Sequence, residues 1–425
     1  MRATAIIFAG FLAFSASAQL PQVQLPPVAL PGLPVPALPE AARGVSARLR
    51  ELSGARALRA DRLFSEHRSE LDRDTSGDLV VRAEVVAIDI TDGALARALE
   101  AKFVVRRTRE LPDLGVKITV LQTPEGMSAT RGLKRLRKLD PEGTYDYNHI
   151  YFDSGDEGAA AILASAAVAA AADSAGGANR AGLIDGGVDT AHEALAGVRV
   201  HRFGCDGNAV PSMHGTAVAA LLLSRHSIGE LYAADVYCED PTGGSIEAVA
   251  EAFGWMARER VGVINVSLVG PRNALLERAV KTLVARGHLI VAAVGNDGPS
   301  AKPLYPAAFD GVVGVTAVDA DHRVLIEACR GKHVDFAALG IAHSAAVGST
   351  NLYGEVRGTS FAAPVVTTLL SGLSEPDPVR RQRLLDELAT HATDLGKPGA
   401  DVIYGAGEVG DGRDVLESRP GSANK

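Results

Sequence analysis

The sequence predicts an α/β protein built on a doubly wound, mostly parallel sheet, preceded by a small α+β unit of ferredoxin-like order. Three observations carry that expectation. From Arg180 onward, apolar runs of strand length alternate with helical segments, the pattern of strands buried on both faces. Between Leu79 and Phe152 the order of elements reads β-α-β-β-α-β, the split βαβ arrangement. With 425 residues, 47% of them hydrophobic, the chain can also bury more than one core.

Taken in order, residues 1–18 read as a signal peptide. Arg2 supplies the positive start, Ala3 to Phe14 the apolar stretch, and Ala16-Ser17-Ala18 a small-residue cleavage site. That apolar stretch falls short of the roughly 20 residues a spanning helix needs, so export rather than anchoring is expected. Residues 19–42 hold recurrent prolines and read as an extended linker. Arg43 to Asp74 is helical in pattern, and its alternating charges suggest a solvated face with no chemistry.

The small unit follows. Leu79 to Ile90 is expected as a strand and Asp92 to Lys102 as a helix capped by Asp92. Phe103 to Thr108 and Gly115 to Leu121 come next as strands, Met127 to Leu139 as a helix and Tyr145 to Phe152 as a last strand. Residues 155–179 are rich in Ala, Gly and Ser and read as a processing linker.

In the second unit, residues 180–417, strands are expected at Ala181 to Ile184, Val198 to Phe203, Leu231 to Val236, Val261 to Val266, Leu289 to Val294 and Val312 to Val318. Helices are expected at His214 to Ser224, Ser245 to Glu259 and Asn273 to Arg286. Active sites of such sheets gather at the carboxyl ends of strands, where Asp185 and Asn296 fall. Residues 418–425 read as a disordered tail.

Four fragments carry the chemistry: Leu183-Ile184-Asp185-Gly186-Gly187, His214-Gly215-Thr216, Ala293-Val294-Gly295-Asn296-Asp297-Gly298-Pro299 and Gly358-Thr359-Ser360-Phe361-Ala362-Ala363-Pro364. A serine hydroxyl needs a base within hydrogen-bond reach and a third group to orient that base. In this order, over about Arg180 to Val409, the fragments resemble the catalytic blocks of the subtilisin-like serine proteases (subtilases). The resemblance implies Ser360 as nucleophile, His214 as general acid and base, Asp185 as orienter and Asn296 as oxyanion donor, partnered by the Ser360 backbone N–H. Pro364 is expected in the first turn of the serine helix, where a missing N–H costs nothing. Asp189 reads as a turn or helix-entry residue beside Thr190.

The same resemblance implies a peptide clamped by backbone pairing between Gly243-Gly244 on one rim and Ser267-Leu268-Val269-Gly270 on the other. Subtilases usually carry glycine where Val269 stands and often proline where Leu339 stands. It also implies that residues 43–154 are a propeptide, an intramolecular chaperone and inhibitor whose final strand points into the cleft. An independent ligand-binding domain is the other reading of that unit. The connection from His214 to Leu231 lacks room for the loop that carries a calcium site in several secreted relatives, so no metal and no cofactor are expected.

Rival chemistries fit worse. A nucleotide-binding turn needs further glycines after Gly186-Gly187, and a Gly-x-Ser-x-Gly hydrolase needs glycine where Ala362 stands. A secreted binding protein with a dead protease fold would show a broken triad. The formal net charge of −8 disfavours nucleic acid or an anionic membrane as partner. The expected partners are polypeptide substrates and the chain's own propeptide, for a secreted or periplasmic monomer. Three cysteines, Cys205, Cys238 and Cys329, leave one unpaired. Cys205 and Cys238 each end a strand-like run, so they bridge if those strands are parallel neighbours; otherwise they are two small buried hydrophobes.

Overall fold

The computed structural model describes residues 54–154, 179–208, 210–225 and 227–410. The signal peptide, the proline-rich linker, the Ala/Gly-rich linker apart from Asn179, and the C-terminal tail expected from the sequence lie outside them. No helix among the described residues is long and apolar enough to cross a membrane.

The chain enters through helix α1 (Ala55–Glu66) and strand β1 (Leu71–Arg73), so the helix expected to continue to Asp74 stops about two turns earlier. Then come β2 (Leu79–Ile88), α2 (Asp92–Glu100), β3 (Val104–Leu111), β4 (Val116–Gln122), α3 (Ala129–Leu139) and β5 (Thr144–His149). Thr91, not Asp92, caps α2: its Oγ1 accepts from Ala94 N at 3.2 Å, and Asp92 is the first helical residue. The strand expected to run unbroken to Phe152 breaks after His149, and β6 (Phe152–Asp153) pairs elsewhere. In this antiparallel sheet β3 is an edge strand, and most of its residues are exposed.

The second unit is a seven-stranded parallel sheet. Its strands are β7 (Asn179–Asp185), β8 (Arg199–Phe203), β9 (Ile228–Asp235), β10 (Val263–Val266), β12 (Leu289–Ala293), β13 (Val312–Val318) and β14 (Phe336–Leu339), in the order β14-β13-β12-β10-β7-β9-β8. Strand β14 had no counterpart in the sequence reading. Alternate residues enter separate cores: Ile184, Ile264 and Ile290 on one face, Leu183, Val263 and Val291 on the other. Helices α4 (Met213–Leu223), α5 (Ile246–Arg258) and α6 (Ala274–Ala285) open at Ser212, Ser245 and Asn273, each of whose side chains accepts a first-turn N–H. The two-residue strand β11 (Leu268–Val269) follows β10.

A hairpin of β15 (Ile341–Ala345) and β16 (Tyr353–Arg357) leads into α7 (Thr359–Leu369), and α8 (Pro378–His391) closes the described chain. Pro364 lies in the interior of α7, beyond its first turn, which corrects the expectation. Its missing N–H leaves the Ser360 carbonyl without an intrahelical partner, and Ser267 Oγ donates to that carbonyl at 3.0 Å.

Cys205 and Cys238 form a disulfide, while Cys329 is a buried free thiol. The bridge closes the loop after β8 onto the turn after β9, which are parallel neighbours.

Candidate active site

Asp185 is the last residue of β7 and is fully buried. Its carboxylate accepts from Gly186 N at 2.6 Å, and His214 Nδ1 lies 2.9 and 3.0 Å from its two oxygens. Burial pushes the Asp185 carboxyl above its ordinary value, against the pull of His214. Two glycines make this approach possible. A Cβ on Gly215 would sit 2.3 Å from the Gly186 carbonyl oxygen, and one on Gly187 would sit 2.1 Å from that of Val210. The competing Asp189 accepts from Ala191 N in a turn, away from the imidazole.

His214 is the second residue of α4, and its ring packs at 5.2 Å on the ring of Phe361, the neighbour of Ser360. Ser360 is the second residue of α7, fully buried, with its Oγ donating to Ser267 O at 3.2 Å. A polar network beneath it ties the helix to the sheet: Asn265 Nδ2 donates to Ser267 Oγ at 2.8 Å, and Thr367 Oγ1 to Asn265 Oδ1 at 3.0 Å. The sequence reading missed Asn265 and Thr367; their signal was a polar residue inside an otherwise apolar strand and helix.

Asn296 follows β12. Its Oδ1 accepts from Thr359 N at 3.1 Å, which turns its Nδ2 toward the Ser154 carbonyl, to which it donates. Gly358, at φ 136°, admits this amide, since a Cβ there would lie 2.7 Å from Asn296 Nδ2. Asp297 carries the charge of the same turn. Arg56 in α1 grips its carboxylate with Nε at 2.8 Å and a terminal nitrogen at 2.6 Å. Burial alone would lower the Arg56 guanidinium, but its bonds to Asp297 outweigh that and raise it. Arg59, one turn on, pairs with Asp153. The expectation of a solvated helix face therefore fails at both arginines, which pair with carboxylates of distant segments.

The cleft is filled by the chain itself. Ile150 bridges Ser245, Tyr151 N donates to Gly244 O at 2.8 Å, and β6 pairs antiparallel with β11, Phe152 against Val269 and Asp153 against Leu268. Ser154 N then donates to Ser267 O at 3.2 Å, and the Ser154 hydroxyl meets that of Ser360. Tyr151 is fully buried, with its OH on Pro271 O at 2.7 Å and its ring lying where a Gly270 side chain would be. Of the rim residues, Gly244, Ser267, Leu268 and Val269 pair with this segment and Gly270 receives the tyrosine ring. Gly243 instead shapes the turn, its N–H on Asp240 O at 2.7 Å. Leu339 is 40% exposed at the end of β14, on none of these contacts.

Burial drives the Cys329 thiol up to about 12, so it stays neutral and is no rival nucleophile. Among the described residues one group could ligate a metal, Cys205, Asp235 and Cys238, and the disulfide occupies two of its three members.

A profile of the subtilase family matches residues 181–407, more than half of the chain. Subtilisin BL of Lederbergia lenta is 33% identical over 216 residues, 48% of this chain and 76% of that protein. The minor extracellular protease Epr of Bacillus subtilis is 30% identical over 211 residues, 46% of this chain and only 32% of its own length. Among solved structures, fervidolysin of Fervidobacterium pennivorans superposes with a TM-score of 0.62 at 17% identity, covering 80% of this chain and 62% of that one, a likeness of fold. The profile match and the identity to subtilisin BL together establish that the chain belongs to the subtilase family of serine endopeptidases.

Proposed function

We propose that the chain is an exported serine endopeptidase, made as a precursor that cuts itself, with residues 43–154 as its propeptide and first substrate. Ser360 Oγ attacks the carbonyl carbon of the bound peptide while His214 Nε2 takes the hydroxyl proton. Asp185 holds the ring through Nδ1–H and stabilises the imidazolium that forms. The oxyanion is held by Asn296 Nδ2 and the Ser360 N–H at the start of α7. As the C–N bond breaks, His214 returns the proton to the leaving amine, and water then releases the acyl group by the same relay.

One observation carries this reading. The Ser154 carbonyl accepts from Asn296 Nδ2 while the backbone before it is paired along both rims, the posture of an attacked substrate residue. The cut is accordingly assigned to the peptide bond on the carbonyl side of Ser154. Substrates would be extended polypeptides bound on the same rims, and no cofactor takes part.

The test is Ser360→Ala. The expected variant folds, stays full length and loses peptide cleavage by about a millionfold, while the wild type releases a fragment ending at Ser154 and reacts with a fluorophosphonate at Ser360. Processing retained by the purified variant would overturn the mechanism.

A further inference from the structure

The two donors assigned to the oxyanion come from separate turns, Asn296 after β12 and the Ser360 N–H at the start of α7, so they serve one oxygen only while those turns keep a fixed spacing. Direct contact supplies part of it. Gly295 N donates to Thr359 Oγ1 at 3.2 Å, and Thr359 N to Asn296 Oδ1 at 3.1 Å. Residues 327–329, between β13 and β14, close these contacts into a ring. Gly298 N donates to Glu327 O at 2.8 Å and Cys329 N to Gly295 O at 2.9 Å, so this segment is paired along the turn that carries Asn296. The Glu327 carboxylate then meets Arg357, the last residue of β16 and three before Ser360. Arg357 Nε donates to one carboxylate oxygen at 2.7 Å and a terminal nitrogen to the other at 3.0 Å, with the Glu327 side chain 4% exposed. Two parallel bonds fix angle as well as distance, and a carboxylate so buried cannot exchange its cation for water. Among the described residues, no hydrogen bond joins Glu327 or Arg357 to the cleft-bound residues 150–154.

We infer that Glu327 and Arg357 are a positioning pair for the oxyanion site: their ion pair sets the spacing between the Asn296 turn and the Ser360 turn, and so acts on the transition state without touching substrate. This rests on the protease reading above. The rims hold a bound peptide by its backbone whether or not the two donors converge, whereas the oxyanion forms only after attack and needs both. Loss of the pair therefore falls on kcat and spares KM.

The experiment measures kcat and KM of self-processed enzyme on one fluorogenic peptide, per active site titrated with a fluorophosphonate, so that misfolded material does not count. Arg357→Gln is expected to lower kcat about tenfold to a hundredfold with KM within about twofold. Glu327→Gln should do the same, and the double variant should be no worse than either, because the two residues act as one unit. Arg357→Lys, which keeps the charge but not the fork, should fall between wild type and Arg357→Gln. An unchanged kcat per titrated site in Arg357→Gln, or a rise in KM alone, overturns the inference. If that variant gives no mature enzyme, Arg357→Lys decides, and a wild-type kcat there is the overturning result. If neither matures, a precursor that is folded by circular dichroism yet uncut supports the pair, and an unfolded one overturns it. Absence of turnover by the wild type would instead sink the protease reading itself, a result distinct from variants that match an active wild type.

Discussion

Both sheets are covered on two faces, but not by the same unit. The parallel sheet is wrapped by helices of its own unit, with Leu222 and Val366 against one face and Val249 and Leu276 against the other. The N-terminal sheet turns Val85, Ala87 and Leu121 to its own helices α2 and α3, but Val86, Ile118 and Val120 join a core with Val249 and Phe253 of the catalytic unit. The parallel sheet is complete within its own unit, whereas the N-terminal sheet is finished only where it docks. Under the processing proposed above, release of residues 43–154 would bare an apolar sheet face to water, which favours their staying docked after the cut.

The comparison can be broken most forcefully at Phe253, which is fully buried in the shared core. Phe253→Ala is expected to cost about 3 to 5 kcal/mol. Denaturant unfolding of the uncut Ser360→Ala precursor should show a larger loss than the mature enzyme does, and equal losses would mean the core is not shared. Opening the Cys205 to Cys238 bridge, with its sequence separation of 33, should remove about 3 to 4 kcal/mol. Because the bridge lies wholly in the catalytic unit, precursor and mature enzyme should lose the same amount when melted with and without reductant. Arg107→Ala is the smallest and most selective change. Arg107 donates to both oxygens of Glu84 at 2.9 Å and to Glu247 of α5 at 2.6 Å, and it is 35% exposed. Discounted for solvent screening, its loss should cost the precursor about 1 to 2 kcal/mol and the mature enzyme nothing.

The same contrast explains what the sequence could tell. Strands β7, β10, β12 and β13 are buried on both faces and stood out as predominantly apolar runs, so their expected bounds fall within a few residues of those found. Strand β14 is four residues long and α8 buries only Leu384 and Leu388, so neither rises above its polar neighbours. In the site, Asp185 lies against His214, and Asn296 against Thr359, the neighbour of Ser360. Their local fragments pinned each to a strand end or a helix start. The entry of the last N-terminal strand into the cleft was expected from the resemblance alone, and the grip of Arg56 was invisible, because nothing near α1 in sequence hints at Asp297. A charged helix face looks solvated until a distant carboxylate is folded against it.

Where Gly215 meets the Gly186 carbonyl, and Gly187 that of Val210, main chain presses on main chain with no side chain between. A leucine in a core can swing to another rotamer when a neighbour changes; a carbonyl oxygen lodged against a Cα hydrogen has no torsion left to spend. The corner that joins aspartate to imidazole thus inherits the stiffness of the polypeptide itself, and repacking elsewhere has no soft joint there through which to act.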